Sequence, residues 1–173
     1  MNVEEERIRE DERQCMATNR YKDQQYRKLL EEAWEFQDFI CAECAKIGIF
    51  IHCFQSKQYQ NQGEGITGIE IKLDKKMESG NLYIEFCEKK TATNKDYANS
   101  GVFRDDNTWL WIIGDYKKVF FFSHAQLKQV VKETQTGKYP FRQVENRTGT
   151  SHGILLPISH PEVERLIIRT IVF

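Results

Sequence analysis

The stretch "GEGITGIEIKLDKKMESGNLYIEFCEKK", Gly63 to Lys90, decides how this chain is to be folded. Apolar Ile69, Ile71 and Leu73 alternate with Glu70, Lys72 and Asp74. Beyond the turn-forming "KKMESG", Leu82, Ile84 and Phe86 alternate with Tyr83, Glu85, Cys87 and Lys89. Alternation with period two marks a strand with one buried face, because successive side chains point to opposite sides. Two such runs joined by a glycine-containing turn read as a hairpin, Thr67 to Asp74 against Asn81 to Lys89. If the apolar set faces the core, the charged set shares the opposite face, with Glu70 and Glu85 directly across from one another. Like charges so placed repel unless a lysine or a metal cation lies between them. The face is therefore either the ordinary solvated side of an antiparallel sheet or a site built around a cation.

Upstream, Tyr26, Leu29, Leu30, Ala33, Ile40, Cys41 and Cys44 follow helical spacing from Asp23, a residue able to cap, to the neighbourhood of Gly48. "IGIFIHCF", Ile47 to Phe54, reads as a strand followed by a polar loop. Residues 91–108 carry turn formers and predict the longest irregular connection, and "WLWII" and "KVFFF" predict two strands around the turn "GDYK". Ser123 with Gln126 three residues on is a capping-box pattern that opens a helix. A short strand near "FRQV" and an apolar strand "GILLPI" follow. Ser159 or His160 then caps a last helix with Pro161 in its first turn. The expectation is an α+β fold: a mixed, mainly antiparallel central sheet flanked by helices. Residues 1–20, almost wholly polar or charged, read as a mobile or helical arm, and 21–173 as a single α+β domain.

Lys plus Arg (25) nearly balance Asp plus Glu (26), so any nucleic-acid contact must come from a local patch rather than a global basic field. The absence of a long apolar run and of a signal sequence leads to the expectation of a cytoplasmic protein that does not engage a membrane. Five cysteines form an odd set that does not suggest a disulfide framework. Cys41, Cys44, His52 and Cys53 offer zinc ligands, but the first pair falls within a helical pattern and no second CxxC follows, so buried thiols are expected and zinc is not. Neither a P-loop nor GxGxxG is present.

The chemistry that uses several carboxylates beside a lysine is magnesium-dependent phosphodiester hydrolysis. Mg²⁺ takes one or two carboxylates plus waters and phosphate oxygens, and the lysine offsets developing charge. "GIEIK", with Glu70-x-Lys72 on an alternating strand, resembles the (D/E)xK half of the PD-(D/E)xK nuclease superfamily, particularly its MutH and Sau3AI branch. The resemblance implies a restriction-endonuclease-like fold and a Mg²⁺-dependent endonuclease acting on DNA, with Glu70, Lys72, Asp74 and Glu85 as catalytic residues. It implies metal ligands among Glu64, Glu70, Asp74 and Glu85, with Glu64 standing where the superfamily usually has Asp. A second alignment takes Asp74 and Glu85 as the two acids; Cys87 then occupies the lysine position, and Lys72 or Lys89 must substitute. Glu32 or Glu35 supplies the glutamate that the superfamily often adds from the preceding helix.

"GVFRDDNTWLW" offers Arg104 for phosphate and Trp109 or Trp111 for stacking, with Lys89 as a further contact, or else a turn followed by core tryptophans. Compact size, high charge and the lack of a metabolic motif suit a phage or mobile-element protein. The rival expectation is a non-catalytic interaction protein on the same fold, such as an inhibitor of a CRISPR nuclease (an anti-CRISPR), whose partner is a nucleic-acid enzyme rather than DNA. Cys87, Glu64 and the near-neutral charge favour that rival.

Overall fold

The computed structural model describes residues 27–52 and 68–173. The chain divides into two compact units, 1–36 and 37–173. The described part of the first, 27–36, is helical and opens helix α1, which covers 27–46. The second unit holds two four-stranded sheets. One has the order β1 (Ile69–Leu73), β4 (Leu110–Gly114), β5 (Lys118–Ser123) and β8 (Ile167–Val172). The other has the order β3 (Ala98–Asn99), β2 (Asn81–Glu88), β7 (Ser151–Pro157) and β6 (Arg142–Glu145). Helix α2 (His124–Gln135) follows β5, and the short α3 (Pro161–Leu166) precedes β8. Every pairing is antiparallel except β1 with β4. The fold is α+β, with two mostly antiparallel sheets where one central sheet was expected.

The expected hairpin does not form. β1 lies parallel to β4, with Glu70 beside Trp111 and Lys72 beside Ile113, and β2 pairs in the other sheet with β7 and β3. The physical reason lies in burial: β4 is buried along its whole length, and a parallel pair is stable where both of its faces are covered. Parallel strands need a long crossover. Residues 74–109 supply it, so the chain leaves the first sheet after Asp74, builds β2 and β3 in the second, and returns. The departure is fixed by Asp74, whose carboxylate accepts the N–H groups of Lys76 (2.9 Å) and Tyr83 (2.8 Å). Gly80, at φ 78°, then completes the turn in the left-handed region that suits glycine.

The main core gathers Leu82, Ile84 and Phe86 of β2 and Ile154 and Leu156 of β7 with Trp111 and Ile113 of β4, Phe120 and Phe122 of β5, and Leu127, Val130 and Val131 of α2. Ile69, Ile71, Ile112, Val119 and Phe121 occupy the other side of the first sheet and are also buried. At its edge Phe39 of α1 packs against Tyr116 and Phe173, with ring centroids 5.1 and 4.8 Å apart.

Other expectations met mixed outcomes. The β4–β5 hairpin turns where predicted, with the Asp115 carboxylate accepting the N–H groups of Lys117 and Lys118. Helix α2 starts after Ser123, but no side-chain cap bond forms there, whereas the His160 ring accepts from the Glu162 N–H at the start of α3. Residues 47–52 form no strand, and 53–54 lie outside the described residues. The last helix is one short turn and a half. "IIRTIV" leaves it to become β8 beside β5, because β-branched side chains favour a strand over a helix. No helix among the described residues is long and apolar enough to cross a membrane.

Candidate functional site

A directly paired residue in a parallel ladder shares its partner's face. Glu70 and Lys72, beside Trp111 and Ile113, therefore lie on the side of the first sheet that carries the main core. The charged face of β1 is interior, not solvated. The Glu70 side chain is 1% exposed, and burying a carboxylate is costly unless charge and hydrogen bonds compensate it. Compensation comes from two cations. Lys72 Nζ forms an ion pair with Glu70 Oε1, and Arg104 Nη2 donates to Oε2 at 2.8 Å. Arg104 Nε also donates to Asp106 Oδ2, and the Thr108 N–H donates to Asp106 Oδ1 at 2.9 Å. Two acids and two bases thus cancel. The lysine and arginine side chains are 39% and 31% exposed, while those of Glu70 and Asp106 are at most 2%, so the cations form the wet mouth of the cluster and the carboxylates its floor.

Burial is the largest influence on Asp106 and pushes its carboxyl up. The hydrogen bonds from Arg104 and Thr108 together outweigh it and hold the group below the usual carboxylate range.

The segment that delivers Arg104 is itself clamped. Gly101, at φ 50°, passes so close to β2 that a Cβ there would sit 2.2 Å from the Glu85 carbonyl oxygen. From the other side the buried His124 places Nδ1 2.6 Å from the Thr108 carbonyl and Nε2 2.8 Å from the Val102 carbonyl, and its ring stacks on Trp111 at an interplanar angle of 7°. A ring nitrogen that carries hydrogen donates to the carbonyl it faces. His124 so bridges the two ends of the stretch that contains Arg104 and Asp106. Neither His124 nor Asp106 was expected at the site; the sequence offered only a histidine in the first turn of a helix and an aspartate in the turn before "WLWII".

Of the residues expected at the site, the structure brings together Glu70, Lys72 and Arg104. Asp74 lies past the end of β1, about 13 Å from Glu70 at the usual strand rise, with its oxygens on the turn amides. Glu85 lies beside a bulge in β2 and accepts from Ser100 Oγ at 2.8 Å; it faces Gly153 of β7, not Glu70. Lys89 sits over the Tyr97 ring (4.7 Å to its centroid) and 3.8 Å from Glu145. Trp111 is core at 3% exposure and Trp109 is 57% exposed, so the two tryptophans divide between the two readings of that strand. Glu32 and Glu35 lie in α1. Glu64 and Cys53 lie outside the described residues. Cys44 is buried, and that burial, followed by the neighbouring Cys41, pushes its thiol up.

Among the described residues no three His, Cys, Asp or Glu gather as a metal-binding group. Magnesium does not require three, since waters and phosphate oxygens complete its shell. Glu70 Oε1 is buried and in contact with the Lys72 ammonium, so an ion bound there would have to displace that lysine. Comparison with known proteins found no matching family model, no matching curated protein and no matching solved structure.

Proposed function

We propose that the chain is a PD-(D/E)xK-like, metal-dependent phosphodiester hydrolase acting on DNA, with a restriction-endonuclease-like ancestry for its β1 segment. The observation that carries the reading is the buried Glu70 carboxylate, on the edge strand of the described sheet, with the partly exposed Lys72 against one oxygen and Arg104 against the other. Glu70 would hold a Mg²⁺ ion, with Glu64 as a further ligand; the ion supplies Lewis-acid polarisation and a bound water of lowered pKa. Lys72, 39% exposed, would leave Glu70 for the phosphate and offset charge that develops on it. Arg104, held by Asp106 and Glu70 at the mouth of the cluster, would add positive charge beside the phosphate. Asp74 and Glu85 serve as supporting carboxylates that shape the β1–β2 turn and the Ser100 contact.

Cleavage of supercoiled DNA in Mg²⁺ or Mn²⁺ tests this. Wild type is expected to nick, and Glu70→Gln and Lys72→Met to lose about 10²-fold or more of that rate, the usual scale for a charge-stabilising group. Wild type that leaves DNA intact with either ion overturns the reading. One observation favours a second reading: the cluster is charge-balanced by its own four side chains. A fold that needs no ion to satisfy Glu70 suits a non-catalytic interaction protein directed at a nucleic-acid enzyme, such as a CRISPR effector.

A further inference from the structure

A groove of about 410 Å³ lies on the other sheet, lined by residues of β2, β6 and β7 and of their turns. Its floor is a row across three strands: Tyr83 of β2 pairs with Leu155 of β7, and Leu155 with Arg142 of β6. Directly paired residues share a face, so aromatic ring, aliphatic chain and guanidinium lie side by side, with about 4.8 Å between strands. This face is opposite to the one that carries Leu82, Ile84, Ile154 and Leu156 into the core, and it is distinct from the Glu70 cluster. The Tyr83 ring lies against the β7 backbone at Gly153, where a Cβ would come within 2.5 Å of it, and its hydroxyl meets Ser151 Oγ at 3.1 Å. The ring is held before any ligand arrives.

The charges around this floor are unequal in their freedom. Lys76, Arg142 and Arg147 are exposed and line the groove, and no carboxylate among the described residues is within ion-pair distance of them. The two acids that also line it are already engaged. Asp74 spends its oxygens on the Lys76 and Tyr83 N–H groups. Glu145 accepts from the Tyr97 hydroxyl at 2.8 Å and faces Lys89 and His152, and its carboxyl is lowered by the Tyr97 bond first and those charges next. In a chain of net charge −1 the groove thus sets three exposed cations against two hydrogen-bonded carboxylates, around Tyr83 and Leu155.

From that juxtaposition we infer that the groove binds a nucleotide unit, its base against Tyr83 and Leu155 and its phosphate among Lys76, Arg142 and Arg147. Arginine meets phosphate oxygens in a fork, an aromatic ring takes any base by stacking, and the volume suits one nucleotide. The chemistry is shared by a free nucleotide and by one unit of a single strand. The inference stands whether or not Glu70 is catalytic.

Binding is measured with the full chain in EDTA, which removes hydrolysis from the result. The probes are a fluorescent mononucleotide and a labelled oligothymidylate of about eight nucleotides. The double variant Arg142→Ala with Arg147→Ala is expected to weaken binding about tenfold or more, as the loss of charged hydrogen bonds predicts. The slope of log affinity against log salt should fall by about 1.4 for the two lost contacts on a single strand. Lys117→Ala with Lys132→Ala, an equal charge change at exposed residues outside the groove, should leave binding unchanged. Binding of both probes identifies a site for which one nucleotide suffices, and binding of the oligonucleotide alone a strand site; either supports the inference. No binding of either probe, or equal losses in the two double variants, overturns it. Urea midpoints close to wild type show that the variants are folded.

Discussion

Removing Arg104 tests the charge cluster at its most sensitive atom pair. Arg104→Met keeps the length of the stem but leaves Glu70 Oε2 and Asp106 Oδ2 without their donor. A loss of about 1.5–3 kcal/mol is expected, the range for a hydrogen bond to a charged group. The urea midpoint should fall with the m-value unchanged. The same variant has a pH signature. Asp106 is depressed in the folded chain relative to the ordinary 3.8, so its stabilisation is complete above that value and is lost as pH falls through the lower folded value. Wild type should lose stability steeply with acid in that window, and Arg104→Met should show a shallower slope because the bond that depresses Asp106 is gone. Glu70 and Lys72 were legible as neighbours because positions two apart on a strand share a side. Arg104 arrives from 34 residues away, through a crossover that local pattern does not announce.

Alternation along β1 and β2 identified both strands and both faces, yet it carried no information about partners or about which face is wet. The pattern left Glu70 and Lys72 as either a solvated face or a cation site, because the cations that make a buried glutamate tolerable are visible in space, not in spacing. The hairpin inference failed for a related reason: a six-residue turn permits pairing but does not enforce it, and the uniformly apolar β4 competes for β1. At the far end, Pro161 rightly signalled a helix start, and the β-branched run after Leu166 outweighed helical continuation. The β4–β5 hairpin was legible because its turn and both strands are local. Its tight joint is Gly114, where a Cβ would stand 2.2 Å from the Lys118 carbonyl oxygen and 2.7 Å from Val119 Cα. Those are backbone atoms that cannot swing aside. Gly114→Ala is expected to cost about 1–3 kcal/mol, as overpacking does. Differential scanning calorimetry should show a Tm lower by about 2–4 °C for each kcal/mol lost.

Across the whole molecule, the two sheets and α2 share one core, and stability should follow that geometry. Amide hydrogen exchange is expected to be slowest in β4, β5, β2 and β7, which have a strand on each side, and fastest in the two-residue β3 and the exposed β6 at the edges. Two chemically different surfaces are thereby held by one frame: a buried acid behind a lysine and an arginine on β1, and an aromatic groove ringed by cations on the second sheet. The first was foreshadowed by Glu70-x-Lys72. The second was not, because Tyr83, Leu155 and Arg142 become neighbours through strand pairing alone.

The central claim is that Glu70 exchanges its lysine for a divalent ion, and titration of Mn²⁺ into the full chain by isothermal calorimetry tests it most directly. The account predicts saturable binding in wild type that Glu70→Gln abolishes while its urea midpoint stays in the folded range. Absence of Mn²⁺ binding in wild type, or binding unchanged in Glu70→Gln, would contradict the assignment of a metal site to this cluster.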